Sequence, residues 1–186
     1  MKIKNKLLIG LTSIILSSGF ACKEDSKSSH YPPRISWEND FKTKKGINVD
    51  APLWIQEKDY VELGDIIDTY YLNFHMNMNQ EKEVNNLSVI IPDELTYFWH
   101  DYNYPVSGLY FDYEDAILVV WNRETNTGIN FPSRKDILPS LPHELAHRLT
   151  GLIDHKDFPQ SLDDATTRSR ENIPIFNGDL SSYNGD

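Results

Sequence analysis

Residues 141–155 read LPHELAHRLTGLIDH and hold three of the chain's six histidines, together with Glu144 and Asp154. His143 and His147 are four positions apart. On an α-helix such residues share one face, about one turn from each other, so two imidazoles can offer nitrogens to a single point beside the helix. Zinc accepts imidazole nitrogen at about 2.0–2.1 Å and suits that spacing. Glu144 is rotated about 100° around the axis from His143, beside such an ion rather than on it, where a carboxylate can hold a water. Leu141, Leu145 and Leu149 form a separate apolar stripe. One helix thus supplies two ligands, a base and a packing face.

The stretch from His143 to His147 is an HExxH sequence, and through it the chain resembles the zincin metallopeptidases. The resemblance implies zinc held by His143 and His147, Glu144 as general base and proton shuttle, and peptide bonds as the substrate. It rests on residues 143–147 and extends loosely back to a hairpin whose edge strand would lie over the helix. It covers nothing before about residue 58.

A catalytic zinc needs a third protein ligand and one open position. In the metzincin register the next positions would be Thr150 and Ile153, which cannot serve. One residue further on, Gly151 turns the chain, and Asp154 and His155 follow. His155 is the expected third ligand, since its imidazole matches the first two, with Asp154 orienting a ligand histidine from outside. Asp154 as the direct ligand is the alternative. Glu171, the only glutamate after Glu144, is the gluzincin-type candidate, although Ile175 stands where that family has an aspartate. No methionine follows Met78, so the metzincin methionine turn is absent, and Arg148 occupies a place usually uncharged in the family. Tyr110, Tyr113, Arg148 and Tyr183 are candidate oxyanion donors, none of which the sequence selects.

The elements that must position these groups are legible in part. Leu63, Ile66, Ile67, Tyr70, Phe74 and Met78 recur at helical spacing and predict an amphipathic backing helix over 58–80. His75 lies on or beside that stripe and reads as a packed or surface histidine. LSVIIP, at 87–92, reads as a strand, and DELTYFW as an added helical turn. VSGLYFDY and AILVVW read as a hairpin turning at Glu114 and Asp115. Tyr97, Phe98, Trp99, Tyr102, Tyr104, Tyr110, Phe111, Tyr113 and Trp121 read mostly as core. NRETNTGINFPSRKD is a loop by composition. Ser140 is the expected N-cap of a helix over 141–150, with Pro142 in its first turn and Gly151 as its stop. A last helix is expected over 161–172, with Ser161 and Asp164 forming its cap. The fold class is α+β: a small zincin-like domain with a backing helix, a short mixed sheet including a hairpin, and the HExxH helix.

The first residues belong to no core. Lys2, Lys4 and Lys6 precede an apolar run over 7–20, which predicts a signal peptide over 1–21. The chain's one cysteine, Cys22, follows Gly19, Phe20 and Ala21. This resembles a relaxed bacterial lipobox, which implies lipidation of Cys22 and attachment to an envelope membrane. Residues 22–36 then read as a flexible tether and 37–186 as a single domain. With one cysteine there is no internal disulfide. Loss of residues 1–21 takes three lysines and moves the formal charge from −10 to −13, which disfavours nucleic acid and anionic lipid headgroups as partners. The KTKK at 42–45 reads as a solvated face. The expected function is a membrane-tethered zinc hydrolase acting on a peptide or protein. The alternatives are a zinc-binding lipoprotein without turnover and a surface interaction protein whose histidines are incidental.

Overall fold

The computed structural model describes residues 40–92, 97–98, 105–121 and 137–179. The expected signal segment, Cys22, the tether, the loop over 122–136 and Tyr183 lie outside the described residues. So do the side chains of Tyr97, Phe98, Trp99, Tyr102 and Tyr104. Among the described residues no helix is long and apolar enough to cross a membrane.

The fold is α+β. Strands β1 (Asp40–Lys42), β2 (Asn48–Asp50) and β3 (Ser88–Ile90) precede a two-strand pair, β4 (Tyr97–Phe98) with β5 (Pro105–Val106). Then come β6 (Gly108–Phe111) and β7 (Ala116–Val119). The main sheet has the order β1-β2-β3-β7-β6. Its centre is parallel, β2 with β3 and β3 with β7, and both outer strands run antiparallel to their neighbours. The hairpin β6–β7 forms at residues 112–115, in the register Gly108 to Val119 and Phe111 to Ala116. Asp115 sits there at φ 49°, a left-handed conformation that aspartate tolerates better than most side chains.

DELTYFW does not end in a helical turn: Tyr97 and Phe98 pair with Val106 and Pro105. β1 and β2 also lie outside the expected elements. Strands of three residues are too short to show alternation, so periodicity could not reveal them.

Alternation along the sheet sorts its side chains into two faces. Val49, Val89, Ile117 and Val119 point towards the helices and are buried there with Leu63, Ile66, Ile67, Phe74, Leu141, Leu145, Leu162 and Ala165. Ile90, Ala116, Leu118 and Val120 form a smaller cluster on the other face, joined by Leu109 and Phe111. Trp121 meets Trp54 and Phe176 edge to face, each at a centroid distance of 5.1 Å, and joins the sheet to the C-terminal segment.

Helix α1 (Tyr60–Met78) carries the expected stripe and ends at Asn79, in the left-handed conformation at φ 52°. His75 is packed against Tyr71 and Phe74, and its Nδ1 lies 2.7 Å from the Gln80 carbonyl. Helix α2 (Leu141–Thr150) has the expected bounds. Ser140 stands at its N-cap position but makes no side-chain cap bond, because its backbone is already helical (φ −85°, ψ −13°). Its carbonyl accepts from the amides of His143 and Glu144 instead. Helix α3 (Gln160–Arg168) is shorter than expected. Pro159 holds the N-cap position, and Gln160 rather than Ser161 bonds the Asp164 carboxylate, at 3.0 Å. The helix stops where the Ser169 hydroxyl turns back to the Thr166 carbonyl.

An ion pair ties α2 to the hairpin. Arg148, 2% exposed, donates from Nε and Nη2 to the two carboxylate oxygens of Asp115 at 2.6 and 2.7 Å, and from Nη2 to the Glu83 carbonyl. Nε and Nη2 are paired while Nη1 has no hydrogen-bond partner among the described residues, and losing Asp115 would leave the charge itself buried and uncompensated. Asp115→Asn keeps a side chain suited to the left-handed turn, removes the charge and turns one of the two acceptor oxygens into a donor facing the guanidinium. It is expected to lower unfolding stability by about 3 kcal/mol, read as a shift in the urea midpoint with an unchanged slope.

Candidate metal centre

Three histidines from two elements of the chain converge on one point. His143 and His147 project from one face of α2, one turn apart. Gly151 then ends the helix at φ 68°, with its N–H on the His147 carbonyl at 2.8 Å. Glycine adopts this backbone without Cβ strain. The chain doubles back, and His155 opens a 3-10 turn over His155–Asp157. The His155 Nε2 lies 2.9 Å from that of His143 and 3.2 Å from that of His147, and the His143–His147 Nε2 separation is 3.1 Å. These three rings form a group whose donor atoms can hold a metal ion.

Hydrogen bonding alone cannot account for that triangle. Each close pair needs one N–H donor and one bare acceptor. Among three nitrogens, two must share a role, so at least one pair would set lone pair against lone pair or hydrogen against hydrogen. A cation at the centre removes the conflict. Two imidazole nitrogens bound to one tetrahedral zinc lie about 3.3 Å apart, so the observed triangle needs only a slight expansion to fit.

The ring of His147 is already oriented as a ligand. Its Nδ1 lies 2.6 Å from the Leu152 carbonyl. A carbonyl only accepts, so Nδ1 carries the hydrogen and Nε2 of the neutral ring presents a lone pair. Phe158 packs against all three imidazoles, at centroid distances of 5.7, 4.7 and 5.5 Å.

Asp154 is turned elsewhere. Its carboxylate accepts from the Lys156 amide at 3.0 Å and pairs with the Lys156 ammonium at 2.5 Å. Those bonds hold its carboxyl below the usual range and cap the turn that carries His155. Glu171 is exposed, and its carbonyl accepts from Asn73. Of the oxyanion candidates, Arg148 is occupied by Asp115 and Glu83, and the Tyr110 hydroxyl donates to Asp112 and Asp115 at 3.3 and 3.4 Å. Tyr113 is 89% exposed.

Glu144 is 2% exposed, and its Oε2 has no hydrogen-bond partner among the described residues. Burial pushes its carboxyl up to about 8. The imidazoles move the other way. Burial first, then the neighbouring rings of His147 and His155, and then Arg170, push His143 down to about 3. Burial also lowers His147, against the opposing bond to Leu152. The sequence reading did not find Arg170, Phe158 or Gly108, which lies against Glu144. Phe158 follows His155 by three residues at the end of the same turn, whereas Gly108 on β6 and Arg170 beyond α3 come from far along the chain, where no local spacing points to the centre.

The shifts carry a prediction. Below the ordinary histidine value of 6.5 an unfolded chain gains protons that His143 and His147 refuse in the fold. Stability from these rings is therefore complete above pH 6.5 and is lost as pH falls towards their folded values. Metal affinity should follow: between pH 6.5 and 5 it is expected to fall by much less than the roughly four-thousand-fold that three ordinary imidazoles would impose over that window. Titration with a chromophoric chelator across that range measures it, and a fall of the full ordinary size would refute the shifts.

No protein-family model, curated protein or solved structure matches this chain, so the meaning of the centre must come from its own residues.

Proposed function

We propose that the chain is a zinc-dependent hydrolase of the zincin type whose substrate is a peptide bond. The observation that carries this reading is the convergence of three imidazole Nε2 atoms within 3.2 Å of one another, two of them from a helix that also buries the Glu144 carboxylate, one oxygen of which has no hydrogen-bond partner among the described residues. A site serving only to hold an ion has no need of a carboxylate beside its first ligand.

His143, His147 and His155 would hold the ion. When bound there, zinc supplies a Lewis acid that polarises a carbonyl and lowers the pKa of water to near 7. Glu144 takes a proton from the attacking water as its oxygen bonds to the carbonyl carbon. It then gives that proton to the amine as the C–N bond breaks. The Leu152 carbonyl keeps the His147 ring in its tautomer, and Phe158 shields the cluster from solvent on the side it covers.

The test is made on the purified chain. One equivalent of zinc should copurify, peptide hydrolysis should stop on chelation, and it should return with added zinc. Stoichiometric zinc without hydrolysis of a broad peptide library would favour the alternative of a metal-binding protein without turnover. Failure to bind any divalent cation would remove both readings.

The proposed place of action is the face of a bacterial envelope membrane, through lipid on Cys22. The support is residues 1–22 alone: a basic start, an apolar run and a small residue before the cysteine. Cys22→Ser is expected to abolish incorporation of labelled palmitate and release the protein from membranes. Unchanged labelling would overturn the anchor.

A further inference from the structure

Position 108 faces the helices. Leu109 and Phe111 pack into the cluster on the far side of the sheet, while Tyr110 packs against the main core, so the two-residue alternation turns Gly108 towards α2 as well. There it meets one side chain. A Cβ built on Gly108 would lie 2.6 Å from Glu144 Oε1, 2.9 Å from Cγ and 3.0 Å from Cδ. At such distances something must shift, and the atoms in the way are the Glu144 carboxylate and the methylene that carries it. Gly108 is not at a positive φ, so its backbone conformation does not demand glycine. Space does.

We propose that Gly108 is a positioning residue for Glu144: the bare backbone of the edge strand β6 is the surface against which the carboxylate is held beside the three histidines. The strand cannot withdraw, because β6 is paired to β7 from Gly108 to Phe111, and Val120 donates to the Ser107 carbonyl at 3.1 Å. Of the two, the Glu144 side chain is the part that can give: it is buried on α2, whose Leu141 and Leu145 are fixed in the core, but its own end can rotate. A methyl group at 108 therefore has to displace the carboxylate. The catalytic meaning of that displacement rests on the hydrolase reading above, whereas the steric coupling does not.

The experiment is a double-mutant cycle with three readouts. Gly108→Ala should lower the denaturant midpoint of the wild-type chain and lower it far less in a Glu144→Ala background, where the colliding atoms are gone. Bound cobalt should remain at one equivalent, with a visible absorption spectrum moved from that of the wild type towards that of Glu144→Gln. Where the chain hydrolyses peptides, Gly108→Ala should lower kcat about 100-fold with KM nearly unchanged, as expected of a catalytic group displaced by about 1 Å. Glu144→Asp, one methylene shorter, should then tolerate alanine at 108 with a smaller further loss. If Gly108→Ala alone does not fold while the double variant Gly108→Ala, Glu144→Ala does, the contact is established outright. Equal destabilisation in both backgrounds, misfolding in both, or an unshifted cobalt spectrum would each overturn the proposal. A wild-type chain that binds cobalt but hydrolyses nothing would sink the hydrolase reading and leave the cycle and the spectrum to decide on Gly108.

Discussion

Glu144→Gln is expected to lower peptide hydrolysis by about a thousand-fold, within the range of general acid–base contributions, while the bound zinc stays at one equivalent. The substitution is isosteric, so it keeps the fit against Gly108 that a larger side chain would lose. It removes the carboxylate that accepts and returns the proton, and it leaves the three imidazoles untouched. Its effect on stability is also determined. In the metal-free fold burial raises the Glu144 carboxyl from 4.5 to about 8. Between those values an unfolded chain releases a proton that the folded one retains, so the wild type loses stability as pH rises from about 4.5 to 8. Glutamine has no such proton. The metal-free variant should therefore be no less stable than the wild type at pH 7 and should lack that part of the decline, read from urea midpoints at pH 5 and 8. Loss of zinc on this substitution would show that Glu144 is a ligand, and unchanged turnover would show that it is not the base.

The second large effect belongs to His155. His155→Ala should weaken zinc binding by well over 100-fold, more than the 10–100-fold typical of a group that only orients a ligand, because two imidazoles from one helix leave a tetrahedral ion half empty. Asp154→Ala is the informative contrast. Its carboxylate is spent on Lys156, so removing it frays the turn and should lower affinity by less than about 10-fold. A competition titration against a chelator of known affinity ranks the two. The reverse ranking would mean that the carboxylate, and not the imidazole, completes the donor set.

Among the described residues, what could be read early was whatever repeats at short range. The stripe of α1 and the bounds of α2 followed from a period of 3.6 and a glycine stop, and the β6–β7 hairpin from two apolar runs around a turn. The i, i+4 pair of His143 and His147 is likewise a property of one helix. Errors arose where local chemistry was overruled. Ser140 had no vacant amide to cap, and Ser161 was drawn inside α3 when the helix began one residue sooner. β1, β2, β4 and β5 were too short to announce themselves and owe their extended form to the strands beside them.

Sequence alone determined that two imidazoles and a carboxylate would share a helix, that a glycine would end it, and that further donors would follow within five residues. Only the tertiary structure shows which of those donors meets the other two rings. A side chain's direction after a turn depends on which neighbour satisfies it, and here Lys156 takes Asp154 while His155 is left to meet the other two rings. The same holds for Arg148 and Gly108. Nothing near them in sequence says that one will be neutralised by Asp115 or that the other will lie against Glu144, because both contacts join residues more than thirty positions apart in the chain, brought together by burial of the sheet against α2.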